Sequence, residues 1–351
     1  MRDRLDAFQR RHRWAGFPLA VVYKFGEDQG PYLAALITYY GFLALFPLFL
    51  LLASVLGFVL QDNPDLQARI LDSTLGQFPI IGDQLGDPQG LRGSAVAVVI
   101  GLLVALYGAS GVAQAIQNAM NVAWAVPRNR RPNPIKARLR SLVLISMAGL
   151  AVLATTVLTA FGRSTGGFGV DTGMWRTVVV VAISFVLNVV VFLGVFHIST
   201  THPTTLKGLL PGAITSSVVW QLLQLFGTAY VGNVVQGASA TYGVFALVLG
   251  LLAWIFLAAV GVVMSAEINV VRTKRLYPRA LMTPFTDNVD LTPADRHFYS
   301  DVAAAQMFKG FSRVEVSFED DGQQASARRR RLLEQEDPPV EEMDIERDPE
   351  T

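Results

Sequence analysis

Gln114, Gln117, Asn118 and Asn121 recur at i, i+3, i+4 and i+7 within an apolar run. On a helix that spacing places four carboxamides on one face. Hydrocarbon offers a carboxamide no hydrogen-bond partner, so this face must meet protein or water. A second polar set, Glu267 and Asn269, closes another apolar run. A carboxylate at bilayer depth costs roughly 2.5–3.5 kcal/mol on insertion scales, so Glu267 needs solvent or an ion pair. Arg272 is the cation near it in sequence. A third set, Thr38, Tyr39 and Tyr40, stands in "ALITYYGFLALFPLF", with Pro47 one to two turns later. The chemistry open to groups of these types is the binding of polar or amphiphilic molecules.

Bond-breaking chemistry has little to work with. His12, His197, His202 and His297 show no metal-ligand spacing such as HExxH. Asp and Glu are nearly absent from the apolar runs, so no acid–base pair is visible. There is no phosphate-cradling GxxxxGK[ST] loop and no cysteine. The expectation is a protein that is not an enzyme and takes no cofactor or metal.

The elements that carry these residues are membrane spans. Of 351 residues, 52% are hydrophobic and only 16% charged, against about a quarter in soluble chains. A span needs roughly 20 apolar residues, and about six runs qualify. They lie near Leu33–Leu60, Ser94–Trp124, Leu139–Phe161, Trp175–Ile198, Leu206–Gly232 and Tyr242–Val271. Lys and Arg set their direction. Arg2, Arg4, Arg10, Arg11, Arg13 and Lys24 precede the first run, Arg128–Arg140 joins the second to the third, and Arg272–Arg279 follows the last. The segments Asp62–Gly93 and Gly232–Thr241 are poor in cations, which puts both termini in the cytoplasm. Thr38–Tyr40, Gln114–Asn121 and Glu267–Asn269 then share the inner half of the bilayer. They read as one cavity open to the cytoplasm, with Pro47 bending the first span. Pro211, near the start of the fifth span, is a second helix irregularity, and Gly208, Gly212 and Ser216 form a face for close helix contact.

The fold expected is an all-α polytopic bundle of about six transmembrane helices, with short amphipathic helices and a mostly disordered C-terminal tail. Residues 1–30 form a basic arm with an interfacial helix over Gly16–Asp28, and 31–275 form the transmembrane domain. A capping helix is expected within Asp62–Asp87 on the outer side. Residues 276–351 form a cytoplasmic tail with a short helix near 293–307, started by Thr292, Pro293 and Asp295. Its Arg328–Arg331 run, followed by acids, reads as self-neutralising and solvated.

The chain resembles the YihY/BrkB family of bacterial inner-membrane proteins. The likeness rests on "AALITYYGFLALFPLFLLL", "LLPGAITSSVVWQLLQLFGTAYVGN" and "TYGVFALVLGLLAWIFLAAVGVVMSAEINVV", and covers roughly Phe17 to Arg275. The resemblance implies a six-helix plasma-membrane protein with cytoplasmic termini. It also carries an older label, ribonuclease BN, which neither a metal site nor a basic RNA groove in this sequence supports. A link to serum resistance and to envelope lipid export comes with it. Two functions fit: a transporter or flippase of an envelope lipid, or a non-catalytic scaffold for envelope-biogenesis proteins. Membrane lipids are the expected partners, and nucleic acid is not.

The absence of native cysteine allows a clean test of orientation. A cysteine replacing Asp83 should react with an impermeant thiol reagent from outside the cell, and one replacing Arg131 should not; the opposite pattern would reverse the topology.

Overall fold

The computed structural model describes residues 2–59, 95–163, 173–230, 244–286 and 289–318. The expected 62–87 helix, the 232–241 loop, the tail beyond 318 and the Pro47 side chain lie outside the described residues. Those residues form nine α-helices: α1 (Arg2–Arg11), α2 (Arg13–Glu27), α3 (Gly30–Val59), α4 (Ala95–Ala123), α5 (Pro134–Arg163), α6 (Gly173–Ser199), α7 (Leu206–Tyr230), α8 (Val244–Lys274) and α9 (Pro293–Ala305). Helices α3 to α8 stand where six spans were expected. Among the described residues, Pro134–Thr155, Val178–Ser199, Leu206–Gly227 and Val248–Lys274 are long and apolar enough to cross a membrane, and Gly30–Leu45 is a shorter apolar stretch. Val178, Val181, Ile183, Val186 and Val190 of α6 are exposed, a surface suited to lipid.

Helix α8 is the hub: it packs on α2, α3, α4 and α7. Small residues set how closely its neighbours approach. A Cβ on Gly212 of α7 would strike the Ser265 carbonyl oxygen and the Asn269 amide of α8. Ser216, one turn on, is buried, while Gly208 lies at the margin. Pro211 is inside α7, which runs on through it as one helix. Helices α3 and α4 form a second tight pair, because a Cβ on Gly108 would sit 2.8 Å from Cα and Cβ of Ala44, and one on Gly111 would overlap the Tyr40 ring. Such backbone approach is how helices gain contact where lipid is as apolar as the side chains.

Helix α2, within the expected arm, packs one face against the bundle. Gly16, Ala20, Val21 and Lys24 of α2 are buried against α8 and the segment after it, although Trp14 and Val22 remain open. The small side chains of Gly16 and Ala20 permit this, and Lys24 has partners inside. The segment 276–305 also docks, with Leu276, Arg279, Ala280, Asp295 and Phe298 buried. Its helix α9 begins with a capping box. Thr292 Oγ1 accepts from the Asp295 N–H at 3.1 Å, and the Asp295 carboxylate accepts from the Thr292 N–H at 2.9 Å.

Two glycines give opposite expectations. Gly212→Ala should lower the melting temperature in detergent, by an overpacking cost of about 1–3 kcal/mol, because a backbone oxygen blocks the new methyl group. Gly26→Ala, with nothing near its Cβ and a helical setting, should be neutral or stabilise by about 0.4–1 kcal/mol. Equal shifts at both sites would refute the close α7–α8 contact.

Candidate functional site

The last carbonyls of an α-helix have no partner within the helix. Helix α4 ends at Ala123, followed by Ala125 in the left-handed region (φ 51°) and a bond from the Val126 N–H to the Asn121 carbonyl at 2.8 Å. The carbonyls of Ala123 and Trp124 are left pointing into buried surroundings. Two lysines from other helices donate to them. Lys24 of α2 donates to the Ala123 carbonyl at 2.8 Å, and Lys274 of α8 to the Trp124 carbonyl at 3.0 Å. Cations at a helix C-terminus also meet its negative dipole end.

Each lysine is balanced by acids. Lys24 pairs with Asp28 one turn on and with Glu267 of α8 at 3.0 Å, and all three side chains are buried. Burial works against the charge on Lys24, but Glu267 and Asp28 outweigh it and hold the ammonium above the ordinary lysine pKa. Lys274 pairs with Asp301 of α9 at 2.8 Å. A second group lies beside the first. Arg279 binds Asp295 and donates to Glu27 of α2 at 2.9 Å, with its guanidinium 4.5 Å from the Phe298 ring centroid. Burial raises the Glu27 carboxyl pKa, with Arg279 pulling it back. Tyr299 also donates to Glu27, at 3.2 Å. This network ties α2, α4, α8 and α9 together at one end of the bundle.

The polar residues marked by the sequence divide between this packed end and a groove. Glu267 faces Lys24, not Arg272, which is exposed. Asn269 accepts from the Gly212 N–H at 2.7 Å, across the α7–α8 contact. Gln117 is buried and donates to Ser141 Oγ at 3.0 Å and to the Ala137 carbonyl at 3.2 Å on α5. Asn121 is buried and accepts from Thr201 N–H and Oγ1 at 3.2 and 2.9 Å. Thr38 turns its hydroxyl back to the Ala34 carbonyl at 2.7 Å. These five side chains form hydrogen bonds or ion pairs within the protein, so the single cavity expected from their matching depth does not form. Tyr39 is 60% exposed, its ring edge-on to that of Tyr40.

Tyr40, Gln114 and Asn118 do meet. They line a groove of about 800 Å³ between α3 and α4, with Leu36, Leu103, Leu106, Tyr107, Ser110 and, from α5, Arg138. From Leu103 to Asn118 the groove follows α4 for about 22 Å at 1.5 Å per residue. Its character changes along that length. Leu103, Leu106 and Tyr107 occupy one end; Ser110 and Gln114 follow, and Asn118 and Arg138 close the other. Gln114 donates to Ser110 Oγ at 2.9 Å, and Asn118 accepts from Arg131 at 3.2 Å. Among the described residues no carboxylate or histidine lines the groove, and no group of three His, Asp or Glu could hold a metal ion.

Sequence reading missed Lys24, Asp28, Lys274, Arg279 and Asp295 as partners. The one local signal was Lys24 itself, a lone cation in the apolar run Phe17–Phe25 with Asp28 at i+4. Arg138 was counted only as a topology charge.

A family model described as "Virulence factor BrkB" matches residues 21–288. The chain is 23% identical over 255 residues to a Bacillus subtilis strain 168 protein named "Putative ribonuclease-like protein YfkH", covering 70% of this chain and 91% of that one. It is 26% identical over 296 residues to a UPF0761 membrane protein of Psychrobacter sp. strain PRwf-1, covering 80% of this chain and 53% of that one. The inner membrane protein YhjD of Escherichia coli K12 is 23% identical over 255 residues, with 67% and 74% covered. The chain thus spans most of YfkH and about half of the Psychrobacter protein. No solved structure matches it.

Removing one member of a buried ion pair costs about 3–5 kcal/mol because a charge is left without compensation. Lys24→Met leaves two buried carboxylates and the Ala123 carbonyl without their donor, and should unfold the protein at clearly lower temperature in detergent. Glu267→Gln leaves Lys24 with Asp28 and Ala123 and should cost less. A Lys24→Met protein that melts like the wild type would remove the lysine cap from the account of stability.

Proposed function

Because the chain belongs to the BrkB family of integral membrane proteins, we propose that it is a transporter or flippase that carries an amphiphilic envelope lipid along the α3–α4 groove. In this reading it sits in a bacterial plasma membrane with both termini in the cytoplasm, and the polar end of the groove opens to that side. One observation carries the proposal: the groove passes from leucine-lined to carboxamide- and guanidinium-lined over a length that exceeds half of the roughly 30 Å hydrocarbon core. A small polar solute has no use for the leucine end, and a purely apolar molecule none for Asn118 and Arg138. An amphiphile uses both, with its headgroup beside Arg138 and its chains against Leu36, Leu103 and Leu106.

The test is a leaflet-exchange assay in vesicles holding the purified protein and a headgroup-labelled fluorescent lipid that an impermeant reductant bleaches. Wild type should expose the inner-leaflet label. Ser110→Trp, which fills the middle of the groove, should slow that exchange at least tenfold at an unchanged melting temperature. Leu222→Trp, on an exposed part of α7, should not. Exchange that is insensitive to Ser110→Trp, or absent from wild type, would defeat the proposal.

A further inference from the structure

No Asp or Glu occurs between Asp87 and Asp171, while Arg128, Arg130, Arg131, Lys136, Arg138 and Arg140 fall within that stretch. Elsewhere at this end of the bundle, buried and partly buried cations are matched by acids: Lys24 by Asp28 and Glu267, Lys274 by Asp301, Arg279 by Glu27 and Asp295. The cations that join α4 to α5 have no carboxylate partner among the described residues. Arg128 lies over the Phe308 ring, 4.8 Å from its centroid, and Arg131 spends its donors on the Val126 carbonyl and on Asn118. Arg138 is exposed, makes no such contact, and is the cation that lines the groove. The Asn118 carboxamide oxygen accepts from Arg131, and its NH₂ group is a further donor on a residue that lines the same groove.

We infer that the polar end of the groove is a binding site for the anionic headgroup of a phospholipid, with Arg138 and the Asn118 amide as its donors. This rests on the proposed function for the presence of an amphiphile in the groove and goes further by naming its charge class. A guanidinium offers a planar fork of donors that matches a phosphate diester, and it stays charged at any physiological pH. The surrounding acid-free segment raises the local positive potential, so an anion is favoured and a zwitterion, whose ammonium would face the same field, is not. The apolar continuation past Tyr107 toward Leu103 selects a lipid over a soluble phosphate.

The test separates binding from movement. Full-length protein in neutral detergent is titrated with phosphatidylglycerol, phosphatidylethanolamine or glycerol phosphate, and retention is read by native mass spectrometry. Phosphatidylglycerol should bind at least tenfold more tightly than phosphatidylethanolamine, and millimolar glycerol phosphate should not displace it. Arg138→Gln should abolish the preference and Arg138→Lys should restore part of it. Lys136→Gln and Arg272→Gln, exposed cations outside the groove, should change it less than twofold. Equal binding of the two lipids would overturn the inference. So would displacement by glycerol phosphate, equal loss in all the charge variants (the mark of a non-specific lipid annulus), or a stable lipid-free dimer. Selective binding without leaflet exchange would leave this site standing and remove the proposed transport.

Discussion

The structure depends on how the C-terminus of one apolar helix is closed in a dry environment. Helix α4 cannot end in the bundle with free carbonyls, because no water reaches Ala123 or Trp124, 0% and 2% exposed. The donors come from outside the helix, as Lys24 and Lys274. Two ammonium groups, Lys24 buried and Lys274 partly buried, then draw carboxylates from the elements within reach: Asp28 just past the end of α2, Glu267 on α8 and Asp301 on α9. The arm, the last long helix and the docked segment are thus fixed to the same point by one unmet requirement of a fourth element.

That anchoring accounts for the shape of the rest. At the ion-network end α4 is surrounded on several sides: α2 and α8 through the lysine caps, α5 through Gln117, and the α6–α7 connection through Asn121. Away from it, Gly108 and Gly111 of α4 let Ala44 and Tyr40 of α3 come in close. The groove begins there, between Tyr40 and α4, and reaches Arg138 of α5. The carboxamide stripe is therefore split by the packing. Its buried members bind protein, and Gln114 with Asn118 is left at the opening.

Much of the fold was legible, because a membrane imposes a strong rule on sequence. Six apolar runs had to be helices, since every backbone group in hydrocarbon must be bonded within its own segment. The start of α9 was equally readable, because Thr292, Pro293 and Asp295 form a local signal complete within four residues. The site was legible only in part. The i, i+3, i+4, i+7 pattern put the four carboxamides along one stripe of α4, but did not show what each residue met, because Ser141 and Thr201 lie on other elements. Depth along the bilayer normal said that Glu267 and Asn118 lie level; it carried nothing about their angle around the bundle. The partner of Glu267 is 243 positions away in the arm, so proximity in sequence pointed to Arg272 instead.

Lys24 also explains why this network differs from an ordinary buried ion pair. Replacing both members of such a pair by apolar residues of similar volume is often neutral or stabilising, because the desolvation of two charges is avoided. That exchange is closed here. An apolar residue at position 24 would fill the volume and leave the Ala123 carbonyl without a donor, and an unmet buried polar group carries its own desolvation cost. An apolar residue at 267 alone would leave Lys24 one carboxylate, Asp28, beside that carbonyl. Charge is retained at this point because a backbone carbonyl, which cannot be mutated away, needs a donor from another helix. Lysine's long stem can carry that donor from α2 into the interior, and the carboxylates follow from the lysine. The same reasoning sets Arg138 apart. No carbonyl, carboxylate or ring takes its guanidinium among the described residues, and of the cations without such a partner it is the one that lines the groove.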